Sequence, residues 1–300
     1  MGAFHAYDIR GIYNVDFDKY TAYKIGFFLP ELLKADKVLL GRDVRLSSDE
    51  IYDAVVEGVT DAGADVYDLG LSTTPMVYFA TARYGFDASI QITASHNAKE
   101  YNGMKVSRTN ALPVGFDTGL GEIKRWIEEG RQMKIEKEKG KVIKFDKRDD
   151  YLTFLNGYKE DYSNLKIGMD LSNGMAALFV KDIFGDQPLY ICDKMDGNFP
   201  NHEPNPLVEK NREDLKKLVL DNGCDVGVIY DGDADRVMFI DENGRFISPD
   251  LMIALLGHYF LEEKGEKGAV LQDIRSSKAV GEYLTPMGAE MHTWRVGRAF

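Results

Sequence analysis

Residues 37–93 read KVLLGRDVRLSSDEIYDAVVEGVTDAGADVYDLGLSTTPMVYFATARYGFDASIQIT. KVLLGRD (37–43) is an apolar run entering a charged loop, which predicts a strand. SSDEIYDAVVEGVTDAG (47–63) places Ile51, Ala54, Val55, Val59 and Ala62 on one helical face. Ser47 and Glu50 have capping-box spacing at its start, and Gly63 stands at its end. ADVYDLG (64–70) predicts the next strand, and TPMVYFATARYG (74–85) a helix with Pro75 in its first turn. DASIQIT (87–93) is a third strand. Such a β-α-β-α-β series predicts an α/β fold with a mainly parallel sheet.

Outward from that stretch the pattern recurs. DTGLGEIKRWIEEG (117–130) adds a helix, and the Lys-, Glu- and Asp-rich segment 131–150 reads as a solvated connector. KIGMD (166–170), PLYIC (188–192) and DVGVIY (225–230) read as strands, with helices over 173–185 and 211–223. VMFIDENGRFIS (237–248) predicts a hairpin turning at Asn243-Gly244. From Pro249 a third unit begins: helix 249–265, strand 268–274, helix 276–288 and strand 289–294. The expected organisation is consecutive α/β/α units with mixed, mainly parallel sheets: 1–150, 151–248 and an incomplete unit over 249–300. About fifty residues with two strands do not easily close a core.

Composition narrows the function. With 300 residues and 44% hydrophobic content the chain can bury a large core. A formal net charge of −12 argues against nucleic-acid binding, so an anionic ligand needs a local basic cluster. Cys192 and Cys224 match no zinc spacing and predict a reducing compartment. No stretch approaches transmembrane length, so a cytoplasmic protein without membrane partners is expected.

Two loops carry chemistry. Asp231, Asp233 and Asp235 fall within DGDADR (231–236), directly after an apolar strand. Unpartnered, three converging carboxylates raise one another's pKa. A hard cation such as Mg²⁺ removes that cost, and Arg236 beside it suits an anion. The spacing Asp231, Asp233, Asp235, Glu242 imitates an EF-hand, but Arg236 stands where that loop needs glycine, and no helix precedes it. The second loop, TASHNAKEYNGMKV (93–106), follows a strand and offers Ser95 beside His96, with Asn102 and Lys105 further on. Adjacent Ser and His side chains diverge, and no nucleophile elbow is present. A serine among cations suits a phosphoryl carrier: His96 and Lys105 offset charge and Asn102 donates hydrogen bonds.

Together with AYDIRG (6–11) and GNFPNHEPNP (197–206), these loops resemble the α-D-phosphohexomutase superfamily, in its phosphomannomutase/phosphoglucomutase branch. The resemblance implies that Ser95 is phosphorylated and that Mg²⁺ is held by that phosphate with Asp231, Asp233 and Asp235. It implies exchange of hexose 1- and 6-phosphates (mannose or glucose) through a bisphosphorylated sugar, which also serves as activator. Arg10 and Arg236 would stabilise the transferred group. Lys105 would be the acid/base, with a pKa lowered among cations, and His96 would orient or hydrogen-bond. Arg275 stands where family members often have lysine and Arg298 where many have histidine; both would bind phosphate. His202 reads as structural. The chain resembles the first two-thirds of a four-domain protein, without the end of the third domain and the fourth. The expectation is therefore a truncated form of low or no activity. An inert metal- and phosphate-binding fragment and a Mg²⁺-dependent sugar-phosphate phosphatase are the alternatives.

Overall fold

The computed structural model describes residues 2–135 and 138–297. The first unit contains β1 (Ile9–Ile12), α1 (Lys19–Leu33), β2 (Lys37–Arg42), α2 (Ser48–Asp61), β3 (Asp65–Leu71), α3 (Thr74–Tyr84), β4 (Ala88–Ile92), β5 (Tyr101–Arg108), β6 (Leu112–Pro113), α4 (Leu120–Glu128) and β7 (Val142–Lys144). Its sheet runs β1-β5-β4-β2-β3-β7, with β6 on β5. Strands β4, β2, β3 and β7 pair in parallel, while β5 is antiparallel to both β4 and β1.

Alternation along β2 feeds two cores. Leu40 joins Ile25, Phe28, Ile51, Val55, Ile90 and Leu120 between the sheet and α1, α2 and α4. Leu39 points the other way, to Met76, Val77, Ala80, Phe86, Tyr151 and Phe179. These are the three layers of an α/β/α unit.

The second unit follows with α5 (Arg148–Asn156), β8 (Ile167–Asp170), α6 (Val180–Phe184), β9 (Leu189–Ile191), α7 (Glu213–Asn222), β10 (Val226–Tyr230), β11 (Val237–Asp241) and β12 (Phe246–Ile247). Its sheet runs β12-β11-β10-β8-β9, with β8 parallel to both β10 and β9. The third unit holds α8 (Pro249–His258), β13 (Ala269–Asp273), α9 (Lys278–Leu284) and β14 (Glu290–Trp294). β13 and β14 form a two-stranded parallel sheet, and the small cluster there buries Val280, Leu284 and Ala289.

Several expectations need correction. Residues 9–12 and 101–108 are strands, which their Asn, Gly and charged residues obscured. The connector 131–150 adds a strand, because Val142 and Ile143 pair with Val66 and Tyr67 at the sheet edge. The helix over 173–185 is broken: a 3₁₀ turn at Met175–Leu178 precedes α6. Ser47 makes no capping hydrogen bond to α2. Its hydroxyl instead accepts from Asn102 Nδ2 at 2.8 Å. Among the described residues no helix is long and apolar enough to cross a membrane.

Candidate active site

The C-terminal ends of β4 and β10 meet, where open α/β sheets place their ligands. Ser95 lies just past β4 with φ of 54°, a conformation uncommon for a residue with a Cβ. Several contacts enforce it. The Ser95 N–H donates to Thr93 Oγ1 at 2.9 Å, and its carbonyl accepts from Arg45 Nη2 at 2.9 Å. Gly232 faces that carbonyl so closely that a Cβ there would sit 2.4 Å from the oxygen. The Ser95 hydroxyl is fully buried and donates to Asp231 Oδ2 at 2.8 Å.

Asp231 Oδ1 accepts from the N–H groups of Asp235 and Arg236, both at 3.1 Å, which folds the acidic loop back on itself. Asp233 Oδ2 accepts from Thr74 Oγ1, and from Lys105 Nζ at 2.6 Å. Lys105 Nζ also reaches Asp235 Oδ2 at 2.5 Å. One oxygen from each of Asp231, Asp233 and Asp235 lies within 4.8 Å of the others. Burial, and then repulsion from Asp233 and Asp235, push the Asp231 carboxyl well above the usual range. Asp233 Oδ1 is buried with no hydrogen-bond partner. A donor set of three carboxylates with one orphaned buried oxygen fits a hard divalent cation.

A second group, Asp170, Cys192 and His202, differs in kind. Asp170 Oδ1 accepts from the Ser172 N–H at 2.8 Å, and Asp170 Oδ2 pairs with His202 Nε2 at 2.9 Å. His202 Nδ1 donates to the Glu203 carbonyl at 2.8 Å. Cys192 Sγ lies 3.8 Å from His202 Nε2. His202 is thus hydrogen-bonded at both ring nitrogens, which ties segment 197–206 to the end of β8.

Five of the expected residues, Arg10, Lys105, Asp235, Arg236 and Arg275, line one cleft of about 590 Å³. Arg10 donates to Asn97 Oδ1 at 2.9 Å and to Asp8, while its buried Nε has no partner. Arg236 Nε stands 3.8 Å from both Asp231 and Asp235 carboxylates and is partly open to the cleft. Arg275 is exposed and forms an ion pair with Asp273 at 2.7 Å. Arg298 lies outside the described residues.

Three expectations change. Lys105 is not held low: burial alone would depress it, but Asp233 and Asp235 outweigh burial and raise it, so it is an ammonium. His96 does not offset charge, because burial, then the positive charges of Arg236 and Arg10, lower its pKa to about 4. Asn102 turns away from the serine, its amide donating to Ser47 and Ser48 hydroxyls at 2.8 and 3.0 Å.

Two residues at the site escaped the sequence reading. Arg45 is buried, and its guanidinium donates to Asp43 and to the carbonyls of Ser95, Asn97, Ala98 and Tyr101. The guanidinium carbon also lies 5.0 Å from the centre of the Phe199 ring in the second unit. The available signal was position: GRDVR sits in a loop at the C-terminal end of a central strand. Thr74 gave no signal beyond its place beside Pro75.

Comparison with known proteins identifies the family. The family description "Phosphoglucomutase/phosphomannomutase, alpha/beta/alpha domain I" matches residues 1–134, and its domain II counterpart matches residues 149–244. A phosphomannomutase of Escherichia coli K12 is 36% identical over 311 residues, covering 100% of this chain and 68% of that protein. A phosphomannomutase of Vibrio cholerae is 37% identical over 316 residues, again covering 100% of this chain and 68% of the relative. A crystal structure of a phosphoglucomutase/phosphomannomutase family protein from Burkholderia thailandensis superposes with a TM-score of 0.90 at 28% identity, covering 98% of this chain and 66% of that one. This chain thus spans about two-thirds of the length of these relatives, 66–68% in each case. The chain belongs to the phosphoglucomutase/phosphomannomutase family, within the α-D-phosphohexomutase superfamily of hexose phosphate mutases.

Proposed function

We propose that this chain carries the phosphoryl-transfer centre of a hexose-phosphate mutase, with Ser95 Oγ as the phosphoryl carrier. One observation supports this above all: the 2.8 Å hydrogen bond from Ser95 Oγ to Asp231 Oδ2 joins two loops 136 residues apart. A serine against three carboxylates is a poor seat for phosphate unless a cation lies between them. Asp231, Asp233 and Asp235 would hold Mg²⁺, together with the phosphate on Ser95. Bound there, Mg²⁺ supplies Lewis-acid stabilisation of the charge on the transferred group.

The chain's own groups do the rest. As the bond from phosphorus to Ser95 Oγ breaks, a bond from phosphorus to a sugar hydroxyl oxygen forms. The sugar hydroxyl gives up its proton and Ser95 Oγ regains one. Lys105 enters as an ammonium: it gives its proton to Ser95 Oγ as that bond breaks and takes the sugar hydroxyl's proton in return, so it ends the step as it began. Arg10 and Arg236 stabilise the transferred group from the cleft side, and Arg275 binds the phosphate that stays on the sugar. Neutral His96 accepts or donates a hydrogen bond without carrying charge. A bisphosphorylated sugar then returns its other phosphate to Ser95, and the same compound activates the enzyme by loading Ser95.

The test starts from the protein incubated with glucose 1,6-bisphosphate and Mg²⁺. Intact mass gains one phosphoryl group in the native chain and none in Ser95→Ala. Mannose 1-phosphate or glucose 1-phosphate added next yields the 6-phosphate at the low rate expected of this chain. Release of inorganic phosphate without 6-phosphate identifies a phosphatase instead. A mass gain that survives Ser95→Ala removes Ser95 from the role.

A further inference from the structure

Asp233 presents its two carboxylate oxygens unequally. Oδ2 accepts from Thr74 Oγ1 and from Lys105 Nζ, whereas Oδ1 is buried and accepts from nothing. Thr74 also fixes the Asp233 backbone, its N–H donating to the Asp233 carbonyl at 3.1 Å. Both partners are fully buried, and they come from different units, 159 residues apart in sequence. Thr74 opens α3, whose N-cap Thr73 accepts from the Met76 N–H at 3.1 Å. A helix N-terminus carries partial positive charge, which keeps a carboxylate there ionised. Thr74 thus grips Asp233 at two points, and Lys105 supplies a third contact on a flexible stem.

The geometry points to Thr74 as a positioning residue for the cation. By occupying Oδ2 and the carbonyl of Asp233, it turns Oδ1 toward the cation and holds the acidic loop of the second unit in register with Ser95 of the first. This rests on the assignment of a divalent cation to Asp231, Asp233 and Asp235. The logic is that of the outer partners of metal ligands: a ligand that must also be oriented loses affinity when its orienting hydrogen bond is removed. The methyl group of Thr74 plays no part in this; the hydroxyl does.

Two substitutions separate hydroxyl from volume. Thr74→Val keeps the shape and loses the donor, and Thr74→Ser keeps the donor and loses the methyl. The probe is Mn²⁺, followed by the loss of its free electron paramagnetic resonance signal and by calorimetry, with no substrate present. Thermal melting without metal checks that each variant is folded. Native protein and Thr74→Ser should bind with affinities within about twofold of each other, and Thr74→Val should bind roughly 10–100-fold more weakly. Equal affinity for Thr74→Val and native protein overturns the inference while leaving the cation site standing. Equal weakening in both variants also overturns it, because volume would then be the cause. A native chain that binds no Mn²⁺ removes the cation site, and the inference with it.

Discussion

Arg45 Nη2 donates to the carbonyl of Ser95 at 2.9 Å, and no solvent reaches either side chain. The contact explains how a serine is kept in a left-handed backbone conformation at the end of a parallel strand. The other hydrogen bonds of this guanidinium go to the carbonyls of Asn97, Ala98 and Tyr101 and to Asp43. One buried cation therefore holds the whole turn from Ser95 to β5.

Removing that cation leaves Asp43 and several carbonyls buried without their partner. Arg45→Met should cost about 3–5 kcal/mol, the range for breaking one side of a buried pair. Urea denaturation measures it. Arg45→Lys should recover little, since one ammonium cannot reach carbonyls arranged around a planar fork. A loss under 1 kcal/mol in Arg45→Met (about the worth of an exposed pair) would count against the clamp.

The three carboxylates oppose one another when no cation neutralises them. Asp231→Asn keeps an oxygen for the N–H groups of Asp235 and Arg236 and can never carry a negative charge. In metal-free buffer its Tm should rise by roughly 2–4 °C, the shift that about 1 kcal/mol produces in a large domain. The stabilisation that Mn²⁺ gives the native chain should disappear. A Tm that falls in metal-free buffer would mean that the native loop is not electrostatically strained.

Gly232 is required by space. A Cβ would meet the Ser95 carbonyl oxygen at 2.4 Å, and backbone cannot swing aside as a flexible side chain can. Gly232→Ala should destabilise the fold by about 1–3 kcal/mol, the usual cost of forced overpacking. It should also slow phosphorylation of Ser95 by a sugar bisphosphate, because the displaced atom belongs to the carrier residue. Denaturation and intact mass report the two effects separately.

The His202–Asp170 pair makes stability depend on pH. Burial alone would lower the His202 pKa, but the hydrogen bond and charge of Asp170 raise it overall. A raised folded-state pKa means the stabilisation is fully present below the unfolded value, about 6.5, and is lost as pH rises through the folded value. The urea midpoints of native protein and His202→Asn should therefore differ more at about pH 6 than at about pH 9. A difference that is constant across this range would show that His202 packs without charge.

The structure also separates what was legible in the chain from what was not. Strand β4 and helices α2 and α3 follow from the spacing of apolar side chains over a dozen residues, a property of the local chain. Ser95 and the three aspartates were visible because each follows directly from an apolar strand. Strand β5 was not visible, since Asn102, Gly103 and Lys105 have poor strand propensity. It forms because β1 and β4 pair with it on both sides.

The sequence by itself determined the alternation of strands and helices from β2 to β4, the family, and the position of the serine and acidic loops at strand ends. These depend on periodicity and on motifs of a few residues. Only the tertiary structure decided the charge states and the supports. Lys105 is a cation because Asp233, 128 residues away, lies 2.6 Å from it. His96 is neutral because burial, and then the charges of Arg236 and Arg10, lower its pKa, and Thr74 and Arg45 act on loops 159 and 50 residues distant. A pKa or an orienting hydrogen bond is a property of neighbours in space, and those neighbours come from distant parts of the sequence.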